Sequence, residues 1–197
     1  LTELPNRTEL LRRTDELLTR AEIGDVALLF VDLDNFNTVN DSLGHGIGDV
    51  LLGDMAQRLR DTVGHDAVLA RFGGDEFVVV VTGVSGRDGG EPLDVHDVAE
   101  RLRAAVAEPL VVDGTELFIT ASIGFSVNDR ADVVAADLLR DADAAMYRAK
   151  SRGRNCVEAF APGTHETTVL ALRTATELRR GLERGDVVPY YQPIVEL

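Results

Sequence analysis

Hydrophobic and polar positions along the 197-residue chain divide into runs of helical and strand period. Thr8 to Arg20 carries Leu10, Leu11, Leu17 and Leu18 at helical spacing behind the start signal Pro5-Asn6, which predicts a helix. Val26 to Asp32 is a continuous apolar run ending in acids, the mark of a strand buried on both faces. Asn35 to Ser42 predicts a short helix, and Gly44-His45-Gly46 a loop. Asp49 then opens a longer helix to Val63, with Val50, Leu51, Met55, Leu59 and Val63 on one face. Val68-Leu69-Ala70 and Val78-Val79-Val80-Val81 flank Arg71-Phe72-Gly73-Gly74-Asp75-Glu76-Phe77. Two strand-like runs joined by paired glycines predict a β-hairpin. Thr82 to Leu93, rich in Gly, Ser and Asp, predicts an exposed loop. A helix from Asp94 or His96 to Ala107 buries Val98, Leu102 and Val106 and stops at Pro109. Leu117 to Ser126 predicts a strand after the turn at Asp113-Gly114. Ala131 to Ser151 predicts a helix with Leu138, Leu139, Ala142 and Met146 inward, and Asn155 to Phe160 a last short strand. One explicit hairpin, without strict alternation of strands and helices, points to an α+β fold on a mixed sheet.

Ala161-Pro162-Gly163 breaks the pattern and divides the chain into residues 1–160 and 161–197. Beyond the break, Ala171, Ala175, Leu178 and Leu182 predict a helix over Glu166 to Glu183, followed by a strand-like tail to Leu197. The 45% hydrophobic content suffices for one good core. Lys and Arg number 20 against 34 acids, for a net charge of −14. That balance argues against duplex nucleic acid and against an anionic membrane surface as partners. A nucleotide ligand would need a divalent cation and a few placed basic groups. Cys156 is the single cysteine, so no internal disulfide forms, which suits a reducing cytoplasm. No apolar run approaches the roughly 20 residues of a membrane span. Leu1 is not a natural start and no signal peptide is visible, so a longer parent protein is expected.

Two acidic clusters carry the candidate chemistry. Asp32 stands at the carboxyl end of an apolar strand, where ligands gather in folds that mix strands and helices. Asp75 and Glu76 sit beside the glycine turn, where Gly73-Gly74 leave room for a ligand to approach the main chain. Carboxylates between hydrophobic flanks cost little beside a cation and much without one. On the residues alone, other readings stay open. Asp32 and Asp34 could cap a strand end, and Asp75-Glu76 could be solvated turn acids. Asp49 could be a helix N-cap, and Lys150 with Arg154 could complement a helix dipole. His45 reads as a structural loop residue, Phe77 and Tyr147 as core, and Cys156 as a small buried residue. His65, His96 and His165 lack ligand spacing.

Taken in order, several motifs resemble the GGDEF domain, the diguanylate cyclase family, over residues 1–160. They are Leu4-Pro5-Asn6-Arg7, Asp32-Leu33-Asp34-Asn35-Phe36, Asn40-Asp41, Gly44-His45, Gly48-Asp49, Arg71 to Phe77, Asp143 to Lys150, and Gly153-Arg154-Asn155. The resemblance implies a central five-stranded mixed sheet flanked by helices, a sandwich like the nucleotide-cyclase and polymerase palm. It implies condensation of two GTP into cyclic di-GMP with release of two pyrophosphates, with two Mg²⁺ (or Mn²⁺) per active site. Asp32, Asp75, Glu76 and the main-chain carbonyl of Leu33 become the metal ligands, with Asp75 and Glu76 catalytic. The backbone N–H groups from Leu33 through Asn35 and Phe36 become a phosphate cradle, and Gly73-Gly74 admit the α-phosphate. Lys150 and Arg154 take the terminal phosphates, and Asn40 and Asp49 read guanine. Each domain would hold one GTP, so a homodimer is required for reaction.

The tail, Leu178-Arg179-Arg180-Gly181-Leu182 with Tyr191-Gln192-Pro193-Ile194-Val195, resembles the start of an EAL domain, the cyclic-di-GMP phosphodiesterase. Its metal ligands would lie past Leu197, so that activity is not expected of this segment. The expected whole is a composite cyclase–phosphodiesterase. This part would be cytoplasmic and free of membrane contact, with any membrane anchor elsewhere in the full-length protein. Three departures stand out. Asn37 replaces the lysine of many active members, Gly64 and Ala67 stand where a product-inhibition Arg-x-x-Asp would be, and Glu3 replaces a glycine. Asn37 keeps a second reading open, a weak or inactive GTP-binding regulatory domain controlling an adjoining EAL phosphodiesterase.

Overall fold

The computed structural model describes residues 1–86, 91–112 and 114–161. The chain divides into two units, Leu1–Ala161 and Pro162–Leu197. The helix expected over Glu166 to Glu183 and the EAL-like tail lie outside the described residues.

The first unit is built on β1 (Val26–Leu33), whose eight residues are all buried. Strand β3 (Glu76–Thr82) pairs with it antiparallel on one side and β6 (Ala121–Val127) antiparallel on the other. Strand β2 (Val68–Gly73) extends the sheet beyond β3, and β7 (Val157–Ala159) joins β6 in parallel. The order β2-β3-β1-β6-β7 is the expected five-stranded mixed sheet.

Side chains alternate across a strand, so β1 feeds two cores. Ala27, Leu29, Val31 and Leu33 face α3 (His45–Val63) and α4 (Val95–Ala107), meeting Leu51, Met55, Leu59 and Leu102. Val26, Leu28 and Phe30 face α1 (Arg7–Leu18) and α5 (Ala135–Ser151), meeting Leu10, Leu138 and Met146. Burying one such aliphatic side chain stabilises by about 1.5–3 kcal/mol, so β1 anchors both cores. Helix α5 lies directly on β6. A Cβ on Gly124 would stand 2.0 Å from Met146 N and 2.2 Å from the Ala142 carbonyl oxygen. This close approach fixes the height of α5 above the sheet.

Several expectations are corrected. α2 (Phe36–Leu43) and α3 are separated only by Gly44, so Gly44-His45-Gly46 is not a loop. Gly44 at φ 87 ends one helix and starts the next, and His45 and Gly46 already belong to α3. Asp49 therefore lies inside α3, not at its N-cap. Val50 is 53% exposed, and the buried stripe runs through Leu51, Leu52, Met55, Ala56 and Leu59. The single strand expected over Leu117 to Ser126 is two elements. A small hairpin of β4 (Leu110–Val112) and β5 (Thr115–Leu117) precedes β6, and residues 118–120 lie outside any strand. The Thr120 carbonyl still accepts from the Asp34 N–H, in register with β1, and its hydroxyl donates to the Asp34 carboxylate. Helix α5 begins at Ala135, not Ala131. Tyr147 is 40% exposed, not core, and Cys156 is only partly buried.

Candidate active site

The hairpin closes through the two-residue turn Gly74-Asp75, between Gly73 and its register partner Glu76. Gly74 has φ 43, a left-handed angle that glycine accepts without steric cost. Arg71 clamps the turn, its Nε and Nη2 both donating to the Gly74 carbonyl at 2.9 and 2.6 Å. Behind it, Phe72 stacks edge-on against Phe30, and the Arg7 guanidinium lies 5.1 Å over the Phe72 ring. The Arg71 N–H donates to the Pro5 carbonyl, so the segment before α1 is tied to this hairpin. A Cβ built on Gly73 would meet only Glu76 Oε2, at 3.8 Å, so the outer side of the turn is open.

Asp32 is the cross-strand partner of Glu76. Directly opposed residues of an antiparallel pair share one face, so both carboxylates point to the α5 side, as Phe30 and Val78 do. The Leu33 N–H donates to the Asp75 carbonyl at 3.2 Å. In a strand a residue's N–H and C=O leave on the same side, so the Leu33 carbonyl also points toward the Asp75 turn. The acid at the tip of β1 and the acid pair of the hairpin are thus one cluster.

From α5, Lys150 Nζ donates to Asp32 Oδ2 at 2.7 Å. It is the one cation that contacts this cluster among the described residues. Burial pushes the Asp32 carboxyl above the usual carboxylate range, Lys150 pulls it back, and Asp75 and Asp34 add to the rise. Burial also raises the Glu76 carboxyl, followed by repulsion from Asp32, Asp75 and Asp143, with Lys150 opposing. Asp143, two turns before Lys150 on α5, is raised by partial loss of water. Sequence reasoning had missed its part in this field; its place in the Asp143-to-Lys150 motif was the available signal. Among the described residues no three His, Cys, Asp or Glu side chains stand ready-arranged around an ion position. The donor chemistry nevertheless fits a hard cation. It is all oxygen, it carries more negative charge than Lys150 balances, and Lys150 already sits on Asp32 as a cation would.

The other expected residues divide. The phosphate cradle shrinks, because the Leu33 N–H goes to Asp75 and the Asp34 N–H to Thr120 at 2.8 Å. The N–H groups of Asn35 and Phe36 remain, at the start of α2, with Asn35 itself left-handed at φ 58. Asn40 lies against α3: a Cβ on Gly48 would stand 1.9 Å from its Oδ1. Asp49, the next residue along α3, is exposed beside it. Arg154 is exposed just past the end of α5 at φ 65. A cavity of about 490 Å³ lies elsewhere, between the end of α1 and the segment after β6, lined by Leu18, Ile23, Asn128 and Arg130. None of the candidate residues line it. No helix among the described residues is long and apolar enough to cross a membrane.

Over residues 1–156 the sequence matches the family described as diguanylate cyclase, GGDEF domain. The chain belongs to the GGDEF domain family. It is 38% identical over 197 residues to the bifunctional diguanylate cyclase/cyclic di-GMP phosphodiesterase MucR of Pseudomonas aeruginosa, covering 99% of this chain and 28% of that protein. It is 33% identical over 193 residues to the cyclic di-GMP phosphodiesterase PdeR of Escherichia coli, covering 98% of this chain and 28% of that protein. In structure it is similar to the GGDEF domain of YfiN (TpbB) from Pseudomonas aeruginosa. The TM-score is 0.71 at 34% identity, over 82% of this chain and 99% of that one. It is also similar to the GGDEF domain of DgcB from Caulobacter crescentus in complex with c-di-GMP. Here the TM-score is 0.70 at 28% identity, over 80% and 92% of the two chains. The chain spans 28% of the length of MucR and of PdeR. This GGDEF domain thus belongs to cyclic di-GMP signalling, among relatives named for making the messenger and for degrading it.

Proposed function

We propose that this GGDEF domain is a diguanylate cyclase that condenses two GTP into cyclic di-GMP and two pyrophosphates. The observation that carries the reading is the pairing of Asp32 with Glu76 across β1 and β3, with Asp75 at the adjoining turn. Asp32, Asp75, Glu76 and the Leu33 carbonyl would hold two Mg²⁺ or Mn²⁺. When bound, the ions neutralise triphosphate charge and lower the pKa of the attacking 3′-hydroxyl. The chain's own groups do the rest. Asn40 and Asp49 hold guanine, whose N1–H and amino group are donors that a carboxylate accepts; adenine would leave that carboxylate unpaired. The Asn35 and Phe36 N–H groups and the open Gly73-Gly74 turn take the inner phosphates. Lys150 transfers from Asp32 to the terminal phosphates, where Arg154 adds its fork. Asp75 receives the hydroxyl proton. Two such domains must face each other, because each presents one nucleotide. A GTP substrate implies a cytoplasmic domain, and residues 161–197 would lead into an EAL domain of the same full-length chain.

A second reading, a GTP-binding regulator of an adjoining phosphodiesterase, is favoured by the neutral, exposed Asn37 and by similarity to PdeR. The chain fused to a dimerising coiled coil, given GTP and Mg²⁺, separates the two by chromatography of the products. Cyclic di-GMP that disappears in Asp75→Ala supports the cyclase. GTP binding without product supports the regulator.

A further inference from the structure

The two acids of Asp32-Leu33-Asp34 are equally buried, each 4% exposed, but are partnered differently. Asp32 faces Glu76 and Lys150. In Asp34, Oδ1 accepts from the Ser122 hydroxyl at 2.7 Å, and Oδ2 from the Thr120 hydroxyl at 2.7 Å and the Asn155 N–H at 3.1 Å. Its three partners are neutral, and both oxygens already accept hydrogen bonds from fixed groups. A buried carboxylate held by fixed neutral donors organises the elements that carry those donors.

What it organises is strained. After α5 the chain passes through three successive left-handed residues, Gly153 at φ 116, Arg154 at φ 65 and Asn155 at φ 47. Residues with a Cβ resist that region and stay there only when their surroundings hold them. Four contacts hold this turn, the first from the Gly153 N–H to the Lys150 carbonyl at 3.4 Å. The Arg154 N–H donates to the Ala149 carbonyl at 3.1 Å, and the Asn155 N–H to Asp34. Arg103 on α4 donates from Nη1 to Asn155 Oδ1 at 2.9 Å. Released from Asp34, the turn would relax toward ordinary angles, and the direction in which Arg154 leaves the chain would change.

We propose that Asp34 is the positioning residue for the terminal-phosphate site: through the Asn155 N–H it holds the left-handed turn that aims Arg154 at the bound nucleotide. The inference rests on the reading of the acidic cluster as a GTP site. It concerns the phosphate end alone, because Asn40 and Asp49 are carried by α2 and α3 and make no hydrogen bond with this turn among the described residues.

The test is titration calorimetry on the full 197-residue chain with Mg²⁺ and two probes. One is a GTP analogue with a methylene between the α and β phosphorus atoms; the other is GMP. Asp34→Ala is expected to weaken the triphosphate analogue about tenfold, the scale of one charge-assisted hydrogen bond, and to leave GMP within about twofold. Asp34→Asn is expected to recover most of the loss. Its amide oxygen can accept from the Asn155 N–H while its NH₂ donates to the Ser122 hydroxyl, which turns to accept. In an Arg154→Ala background, Asp34→Ala should add little, because the two act on one contact. Equal weakening of both probes, full additivity with Arg154→Ala, or unchanged analogue affinity overturns the proposal. If Asp34→Ala does not fold, Arg103→Ala loosens the same turn from α4 and should weaken the analogue but not GMP; no change there overturns the proposal as well. Failure of the unaltered chain to bind either probe overturns the GTP reading itself, and this inference with it.

Discussion

Glu76→Gln should stabilise the metal-free domain while removing its activity. Glu76 is half-buried opposite Asp32, and burial followed by repulsion from Asp32, Asp75 and Asp143 raises its carboxyl above the ordinary 4.5. Cβ atoms of a directly opposed pair lie about 4.5–5.5 Å apart. Two unit charges at about 5 Å repel by about 3 kcal/mol at an effective dielectric constant of about 20. Lys150, 2.7 Å from Asp32, cancels most of that, which leaves about 1 kcal/mol. The sign follows from linkage. An acid whose folded pKa lies above its unfolded value favours the folded state at low pH, and that contribution disappears as pH rises through the folded pKa. Wild type and Glu76→Gln should therefore unfold alike near pH 4. The variant should be ahead by about 1 kcal/mol at pH 7, about 2–4 °C in Tm for a chain of this size. Urea unfolding from pH 4 to 8 with a chelator present measures the gap. Millimolar Mg²⁺ with GTP should then stabilise wild type and leave Glu76→Gln nearly unmoved. A variant that is less stable at pH 7, or a gap that does not change with pH, would refute the claim that these acids lack enough positive charge.

Three other substitutions probe other links. Gly48→Ala should cost little stability, since alanine gains about 1 kcal/mol over glycine within a helix. It should still weaken GTP binding about tenfold, because the new methyl evicts the Asn40 amide from 1.9 Å; calorimetry that finds equal affinity would show Asn40 to be idle. Gly124→Ala should lose about 3 kcal/mol or more in denaturant unfolding, because its methyl meets α5 backbone that cannot turn away. A loss below about 1 kcal/mol would mean that α5 can lift off the sheet. Glu3→Gly should raise stability by about 1 kcal/mol in the same assay, since Glu3 is held at φ 53; no gain would mean that the first residues fray.

Much of the site could be read before the fold was known because period-two burial is strict. A continuous apolar run from Val26 to Val31 must be covered on both faces. The even-numbered residues of β1 share a face, which sends Asp32 to the same side as Leu28 and Phe30, and so to Glu76 across on β3. What could not be read was local competition for backbone groups. Gly44 at φ 87 lets α3 start at His45 against the usual meaning of Gly-His-Gly, and that shift takes Asp49 from a cap into a helix body. The break between β5 and β6 at residues 118–120 is encoded by no pattern of apolar residues. Lys150 was placed at a helix end by its motif, but its partner, Asp32, is 118 residues away in sequence and only the packing of α5 on Gly124 reveals it.

A surface with a net charge of −14 should repel a triphosphate. The fold answers by keeping the acids in two grades. Asp34, held by three neutral donors, is tied to geometry, and its charge adds only the last part of the rise at Asp32. Asp32 and Glu76 stay under-compensated, with a single lysine beside them, on Asp32. Such a site is unstable by itself, and the arrival of cations and phosphate together relieves acids and lysine at once. Binding of nucleotide and of metal should then be strongly cooperative, each weak alone. Calorimetry of GTP with and without Mg²⁺, and of Mg²⁺ with and without GTP, must show the same coupling in both directions. Independent binding of the two would mean that Lys150 already balances the cluster.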